Sequence, residues 1–332
     1  MNHNLLERAR AGDAAAFAEL VAPHRRELHI HCYRILGSVQ DAEDAVQESL
    51  LSAWRNLASF EQRASLRTWL YSIATNRSLN MLRAADRRPV TEARPSFELP
   101  EPTDTGEVVW LDPYPDVLLE NAVTAPTSPE ARYEMKEAIS LAFVTALQLM
   151  PARQRAVLIL RDVLGFHASE VASMLGTTDE SVTSALKRAR AALDQRLPKA
   201  EPPPEPRSAE ERRLVDRLTA AFETNDVEGI VALLADDVRL SMPPLPIEYH
   251  GLAHAANFLT HIAALHHDRR ILPSRANGQP ALAMYARDPG AAIYRALGLL
   301  VVSIAGDRVS AITRFDTTLF ARFGLPRTIP AA

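Results

Sequence analysis

Proline divides this chain more sharply than any other residue. None occurs between Arg26 and Arg88, eight fall within residues 89–129, and five lie between Pro198 and Pro206. Proline has no backbone N–H and clashes with the preceding turn, so helices can run through the first span but not the other two. Charge divides at the same places. Residues 1–88 carry 12 basic and 10 acidic side chains, and 89–129 carry one basic (Arg94) and eight acidic. Residues 130–197 carry 9 and 8, and 198–332 carry 15 of each. The formal net charge of −4 therefore belongs to one segment. An acidic, proline-rich stretch buries too little apolar surface to offset its ordering entropy. Three folded pieces are expected, 1–88, 130–197 and 208–332, joined by an acidic linker (89–129) and a short stiff one (198–207).

Length agrees with this division, since 332 residues exceed one ordinary domain. The one cysteine, Cys32, excludes an internal disulfide framework and a cysteine-based zinc site. The chain opens without a basic-then-apolar leader pattern and contains no 18-residue apolar run. These features predict a soluble cytoplasmic protein with no membrane partner.

The first piece reads as all helix. Val46, Leu50, Trp54 and Leu57 make one apolar stripe. Asp41, Glu43 and Asp44 stand at the start of that helix, where carboxylates suit the positive end of its dipole. The next helix carries Leu66, Trp69, Leu70 and Ile73 inward and presents Asn76, Asn80, Arg83 and Arg87 on another face. In the second piece a helix over 141–149 precedes Pro151, placed at a first helical position.

Residues 167–197 carry the most chemistry. Val171, Leu175, Val182 and Ala185 pack two short helices, Ala172 is small at their crossing, and Gly176 supplies the turn. Thr177 and Glu180 have capping-box spacing for the second helix. Val182, Leu186, Ala189 and Leu193 face inward, leaving Ser181, Ser184, Lys187, Arg188 and Arg190 outward. Hydroxyls near a recognition-helix start reach base edges, and the following cations reach phosphates. An ordinary helical hairpin with a solvated basic face is the alternative.

These residues carry a resemblance. RQRAVLILRDVLGFHASEVASMLGTTDESVTSALKRARAAL resembles region four of the extracytoplasmic-function (ECF) sigma factors. AFAELVAPHRRELHIHCYRILGSVQDAEDAVQESLLSAWRNL with FEQRASLRTWLYSIATNRSLNMLR resembles their region two. The resemblance implies binding to core RNA polymerase and to promoter DNA, duplex at the −35 element and melted at the −10 element. Asp41, Glu43, Asp44 and Gln47 would then meet the basic clamp of the polymerase, with helix capping as their other role. Arg63, Arg67 and Arg77 are candidate phosphate contacts, and Asn76, Asn80 and Arg83 would grip the melted strand. Thr177, Ser181, Ser184, Lys187 and Arg188 would read the −35 duplex. The linker carboxylates, among them Asp112 and Asp116, would either mimic phosphate within the polymerase or merely solvate a tether. The apolar stretch VVWLDPYPDVLLE (108–120) suggests an ordered anchor.

The third piece changes grammar. Two helices (209–224 and 227–235) precede an alternating strand at Val238, Leu240 and Met242. A helix over 253–265 follows, then strands near 281–286, 291–304 and 308–316. Gly306-Asp307 reads as a hairpin turn. RRLVDRLTAAFETNDVEGIVALLADDVRLSMPP and ITRFDTTLFARFGLP resemble the SnoaL-like polyketide cyclase and ketosteroid-isomerase superfamily, an α+β cone around a pocket. The resemblance implies a small apolar ligand, for which Tyr249, Tyr285, Arg287 and Phe315 are candidate pocket residues. No acid–base pair stands out. His250 and His254 are four apart, but Gly251 breaks a helical ligand geometry, so no metal and no cofactor are expected.

The whole reads as a multidomain protein: two all-α sigma domains followed by an α+β cone. Its expected function is that of an alternative sigma factor, without chemistry of its own and regulated in cis by the cone. Two other readings stay open at this point: a SnoaL-like enzyme fused to a DNA-binding module, and a helix-turn-helix regulator acting without polymerase.

Overall fold

The computed structural model describes residues 3–61, 64–85, 99–103, 111–120, 138–197 and 201–331. Two compact units account for the chain. One comprises Met1–Val90, Thr124–Ala138 and Phe143–Leu197, and the other comprises Thr91–Val123, Ile139–Ala142 and Pro198–Ala332.

The first unit is helical. It contains α1 (His3–Arg10), α2 (Ala14–Val21), α3 (Arg25–Leu36), α4 (Val39–Arg55) and α5 (Leu66–Ala85). Gly37 closes α3 at φ 74°, and the Ser38 hydroxyl then caps α4 by accepting from Asp41 N–H. That pair of residues turns the chain so that the apolar stripes of α3, α4 and α5 converge on Leu28, Cys32, Ile35, Val46 and Leu70. Burial pushes the Cys32 thiol up to about 12, so it is an inert core group. His31 is equally buried and pulled down to about 3, by burial first and then by Arg34 and Arg67. A neutral ring bonded to Thr75 Oγ1 at 2.8 Å is the result.

A short helix, α6 (Asp116–Glu120), lies in the linker, and α7 (Leu141–Gln148) follows it. The rest of the first unit is α8 (Ala152–Leu158), a π-helical turn (Ile159–Val163), α9 (Ala168–Leu175) and α10 (Asp179–Arg196).

The second unit opens with α11 (Ala209–Glu223) and α12 (Val227–Val231). Strands β1 (Leu234–Met242) and β2 (Leu245–His250), helix α13 (Leu252–Leu265), and strands β3 (Arg269–Ala276), β4 (Gln279–Ala286), β5 (Ile293–Ala305), β6 (Arg308–Phe315) and β7 (Thr328–Pro330) follow. The sheet runs β2-β1-β6-β5-β4-β3, with β7 on β5. All pairs are antiparallel except β1–β6. Irregular register in β1, β5 and their partners provides the local bends that curve such a sheet. Helices α11 and α13 cover one face, where Leu218, Phe222, Leu240, Leu282 and Val302 form the core.

Three sequence expectations shift here. Strand β1 begins at Leu234, inside the span expected as helix, and β2 and β3 were not anticipated. The β3–β4 hairpin nevertheless had a signal in Asn277-Gly278. Both residues take positive φ, 57° and 74°, as a two-residue turn between Ala276 and Gln279 requires.

The described linker residues belong to this second unit rather than to an open tether. Thr103 N–H donates to Glu248 O, and Tyr249 Oη donates to Pro100 O at 2.7 Å. Pro115 bridges Ala276. Asn277 ties the segment down, because its Oδ1 accepts from Tyr114 N–H, its own N–H donates to Tyr114 O, and its Nδ2 donates to Ile139 O, each at 2.8 Å. Asp116 accepts from Gly278 N–H and pairs with Arg275, which also pairs with Glu211. Asp112 pairs with Arg322. So Asp112 and Asp116 are spent on this fold and do not offer free negative charge. Burial pushes the Asp116 carboxyl up, against the pull of Gly278 N–H and Arg275.

Replacing Asn277 with alanine removes its two side-chain hydrogen bonds, to Tyr114 and Ile139, and puts a residue less tolerant of positive φ in the turn, at a cost of about 1–3 kcal/mol. Hydrogen exchange at the Tyr114 amide is expected to accelerate in Asn277→Ala. Unchanged exchange there would mean that the linker is held by something else.

Candidate nucleic-acid interface

The helix-turn-helix is built by α9 and α10 around Gly176 at φ 59°. Thr177 N–H donates back to Ala172 O at 2.9 Å, closing α9. That closure uses Thr177 itself, so the cap of α10 falls on Thr178, whose hydroxyl accepts from Ser181 N–H. The cap expected at Thr177 thus sits one residue later, where the third residue on is Ser181 rather than Glu180, and the expected capping box does not form. A reciprocal carboxylate occurs at α9 instead, where Glu170 accepts from His167 N–H at 2.8 Å.

Val182, Leu186 and Ala189 are buried, which turns Ser181, Ser184, Lys187 and Arg188 to solvent along α10. Thr177 is half-buried in the turn. Arg190 is exposed but gripped by Asp162 through two bonds of 2.7 and 2.8 Å, a pairing that sequence spacing gave no means to see.

On the N-terminal helices, Asp41, Glu43, Asp44 and Gln47 form an exposed strip along α4. Their helix buries Ala42, Ala45, Val46 and Ser49 behind them. Asn80 and Arg83 are exposed on α5. Arg63 lies outside the described residues, as does Arg87. Trp69 is half-buried and stacks on Phe60 at 4.8 Å, which makes it a packing residue.

Three expected DNA contacts are engaged within the protein. Arg77 pairs with Glu48. Arg67 lies over the rings of Tyr71 and Phe166, 4.8 and 4.9 Å from their centroids, and near Glu27. Asn76 donates to Ser72 O and, at 2.8 Å, to Met174 O on α9. Phe166 and Met174 come from the piece that carries the helix-turn-helix, so both contacts cross between the two helical pieces.

Buried arginines reinforce that junction, and sequence gave no signal for them. Arg34 Nε donates to Ala138 O at 2.8 Å, and Gln148 Nε2 donates to Arg34 O. Arg155 donates to Ile35 O, Gln148 Oε1, Gln148 O and Met150 O. Arg155 satisfies carbonyls in the last turns of α3 and α7, where partial negative charge collects.

The C-terminal unit holds a cavity of about 90 Å³ between the sheet and helices α11 and α13. Phe222, Leu240, Met242, Phe258, Met284 and Arg314 are among its lining residues. None of Tyr249, Tyr285, Arg287 or Phe315 lines it. Tyr285 and Phe315 are each one position out of phase with the lining residues Met284 and Arg314, so the pleat turns them to the opposite face. There Tyr285 packs on Phe320 and donates to Pro326 O. Tyr249 packs on Phe258 and reaches Pro100, and Arg287 pairs with Asp268 over the ring of Tyr294. His250 bonds to Glu248, and His254 to the His250 carbonyl. No group of three metal-ligating side chains occurs among the described residues.

Residues 20–88 match sigma-70 region 2, residues 140–193 match sigma-70 region 4, and residues 215–315 match the SnoaL-like domain. The ECF RNA polymerase sigma factor SigG of Mycobacterium tuberculosis is 43% identical over 331 residues, covering 96% of this chain and 86% of that one. The chain belongs to the ECF sigma factors. SigM of the same species is 31% identical over 196 residues, covering 59% of this chain and 84% of that one. The crystal structure of its SigJ shares the fold over 93% of this chain and 99% of that one, with a TM-score of 0.59 and 23% identity.

As an ECF sigma factor, the chain functions in transcription initiation, and its C-terminal unit is a SnoaL-like domain with a curved sheet. No helix among the described residues is long and apolar enough to cross a membrane.

The −35 roles expected on α10 separate by chemistry. Lys187→Ala or Arg188→Ala should weaken −35 duplex binding on all sequences and lower the salt slope by about 1 each. Ser181→Ala or Ser184→Ala should relax base preference and leave the slope unchanged. Titrations of the full chain at several salt concentrations read both, and an unaltered slope in both cation variants would remove α10 from the backbone contact.

Proposed function

We propose that this sigma factor rests in a closed state that cannot read a promoter, and that its SnoaL-like domain sets how readily the state opens. The observation that carries the reading is the Asn76 Nδ2 bond to Met174 O. That bond occupies a side chain expected at the melted −10 strand, and it does so with the helix-turn-helix expected at −35. By their names the two elements are about 25 base pairs apart, roughly 85 Å along the duplex. Helices in hydrogen-bond contact cannot reach both. Arg67 is sequestered in the same junction by Phe166.

The SnoaL-like domain acts through the chain that joins the two readers. Asn277 and Gln279 hold Tyr114, Ile139 and Leu141, which flank the span the linker must surrender for the readers to part. Acting this way requires no turnover. The enzyme reading is not needed for this action, and turnover on a candidate substrate would revive it. The exposed strip of Asp41, Glu43, Asp44 and Gln47 is the proposed polymerase contact, and promoter DNA is the proposed partner of α5 and α10.

A cation–π contact of about 0.5–1 kcal/mol corresponds to roughly two- to fivefold in an opening equilibrium. Run-off transcription with core polymerase, at limiting full-length protein, is expected to rise by at least that factor in Phe166→Ala, which also loses packing on Tyr71, and to rise in Asn277→Ala as well. Asp41→Lys combined with Asp44→Lys should abolish co-purification with core polymerase. Equal run-off yield from wild type, Phe166→Ala and Asn277→Ala would defeat the closed-state reading while leaving the sigma function intact.

A further inference from the structure

Arg314 has no ion-pair partner among the described residues. It lies on β6 in phase with Ile312, opposite Leu300, and lines the cavity under α11 and α13. Its Nη2 donates to Leu297 O at 2.7 Å. No carboxylate among the described residues comes within ion-pair distance of it, although arginines 275, 287 and 322 of the same domain are all paired. Burial pushes the guanidinium downward, with Asp316 opposing from further off. Arginine keeps its proton regardless, so the cavity holds a partly buried positive charge with no ion-pair partner among the described residues.

The backbone makes room for that charge. A β-carbon at Gly298 would approach Phe315 O to 2.8 Å and Arg314 Nε to 3.1 Å. Glycine at this position lets the guanidinium lie against the strand, where one Nη2 proton is spent on Leu297 and other N–H donors remain. The rest of the wall is apolar, with Phe222, Met242, Phe258 and Met284, and His266 and Ser241 as the other polar lining residues. Ser241 is already bonded to Thr313. Burial first, then Arg269, pulls the His266 ring down, so it adds no second firm positive charge.

We propose that this cavity is a binding site for a small monocarboxylate with an apolar body, its carboxylate seated on Arg314. One guanidinium offers parallel N–H donors that match a carboxylate, whereas a phosphate dianion would need further cations or a nest of amides that the lining does not provide. Size sets the body. An engineered cavity of about 150 Å³ holds benzene, so one of about 90 Å³ takes about four carbons. Isovalerate has that form. As a regulatory ligand the carboxylate rests on the cis-regulation reading above, but its binding does not.

Titration calorimetry on the full chain tests the site with isovalerate and its neutral isostere isovaleramide. Isovalerate should bind at least tenfold more tightly, and Arg314→Met should erase the difference while Arg314→Lys keeps part of it. Equal affinity for acid and amide, undiminished acid binding by Arg314→Met, or no binding of isovalerate at millimolar concentration would each overturn the proposal. Should Arg314→Met fail to fold, the acid-against-amide comparison on wild type and Arg314→Lys decides alone. Run-off transcription with and without isovalerate separates the two readings. Binding without any change in run-off keeps the site and removes its regulatory role, whereas a change produced equally by the amide removes the site.

Discussion

Buried backbone carbonyls must be hydrogen-bonded, and in this chain distant side chains do that work. In the helical unit Arg155 reaches Ile35 O and Asn76 reaches Met174 O, across 120 and 98 residues of sequence. In the second unit Asn277 reaches Tyr114 and Ile139 across 163 and 138 residues. Leaving such a group unpaired costs about 1–3 kcal/mol, so each bond fixes its partner segment firmly. Without them the two sigma regions would be helical pieces on a string, and the linker would be the tether that its composition suggests.

The contacts differ in strength in a way that suits a switch. The Asn277 cluster combines three hydrogen bonds with a bridge and a nearby network of Asp116, Arg275 and Glu211. By contrast, the crossing between the DNA-reading faces rests on one amide bond and an arginine over two rings. Parting the two regions also breaks the buried Arg34, Gln148 and Arg155 bonds behind that crossing, and the strip proposed to meet polymerase on α4 is exposed before they part. The contacts at Asn76 and Arg67 are thus few, while buried bonds behind them hold the two helical pieces together.

Sequence pattern made much of this visible. The stripes of α4 and α10, the Gly176 turn and the Gly306 hairpin all follow from local periodicity and turn chemistry. The outward residues Ser181, Ser184, Lys187 and Arg188 followed from the same stripe. What was hidden depends on tertiary structure. The pleat phase of β4 and β6 decides whether residue 284 or 285, and 314 or 315, lines the cavity; β4 is buried on both faces and β6 buries the neighbours Ile312 and Thr313, so no clean polar alternation marks the phase. Composition could not show that Asp112 and Asp116 would find Arg322 and Arg275, since a carboxylate reads the same whether solvated or paired. Asn277-Gly278 was a legible hairpin signal, but its partnership with Tyr114 needed the fold.

The claim at the centre of this account is that regions two and four touch in the free protein and part on the promoter. Double electron–electron resonance between spin labels at Ala58→Cys and Gln195→Cys measures it, because both positions are exposed and the native Cys32 is buried. The account predicts a single short separation for the free chain, replaced by one longer by tens of ångströms in the complex with core polymerase and promoter DNA. The same distance in both states, or a long one already present in the free protein, would contradict it.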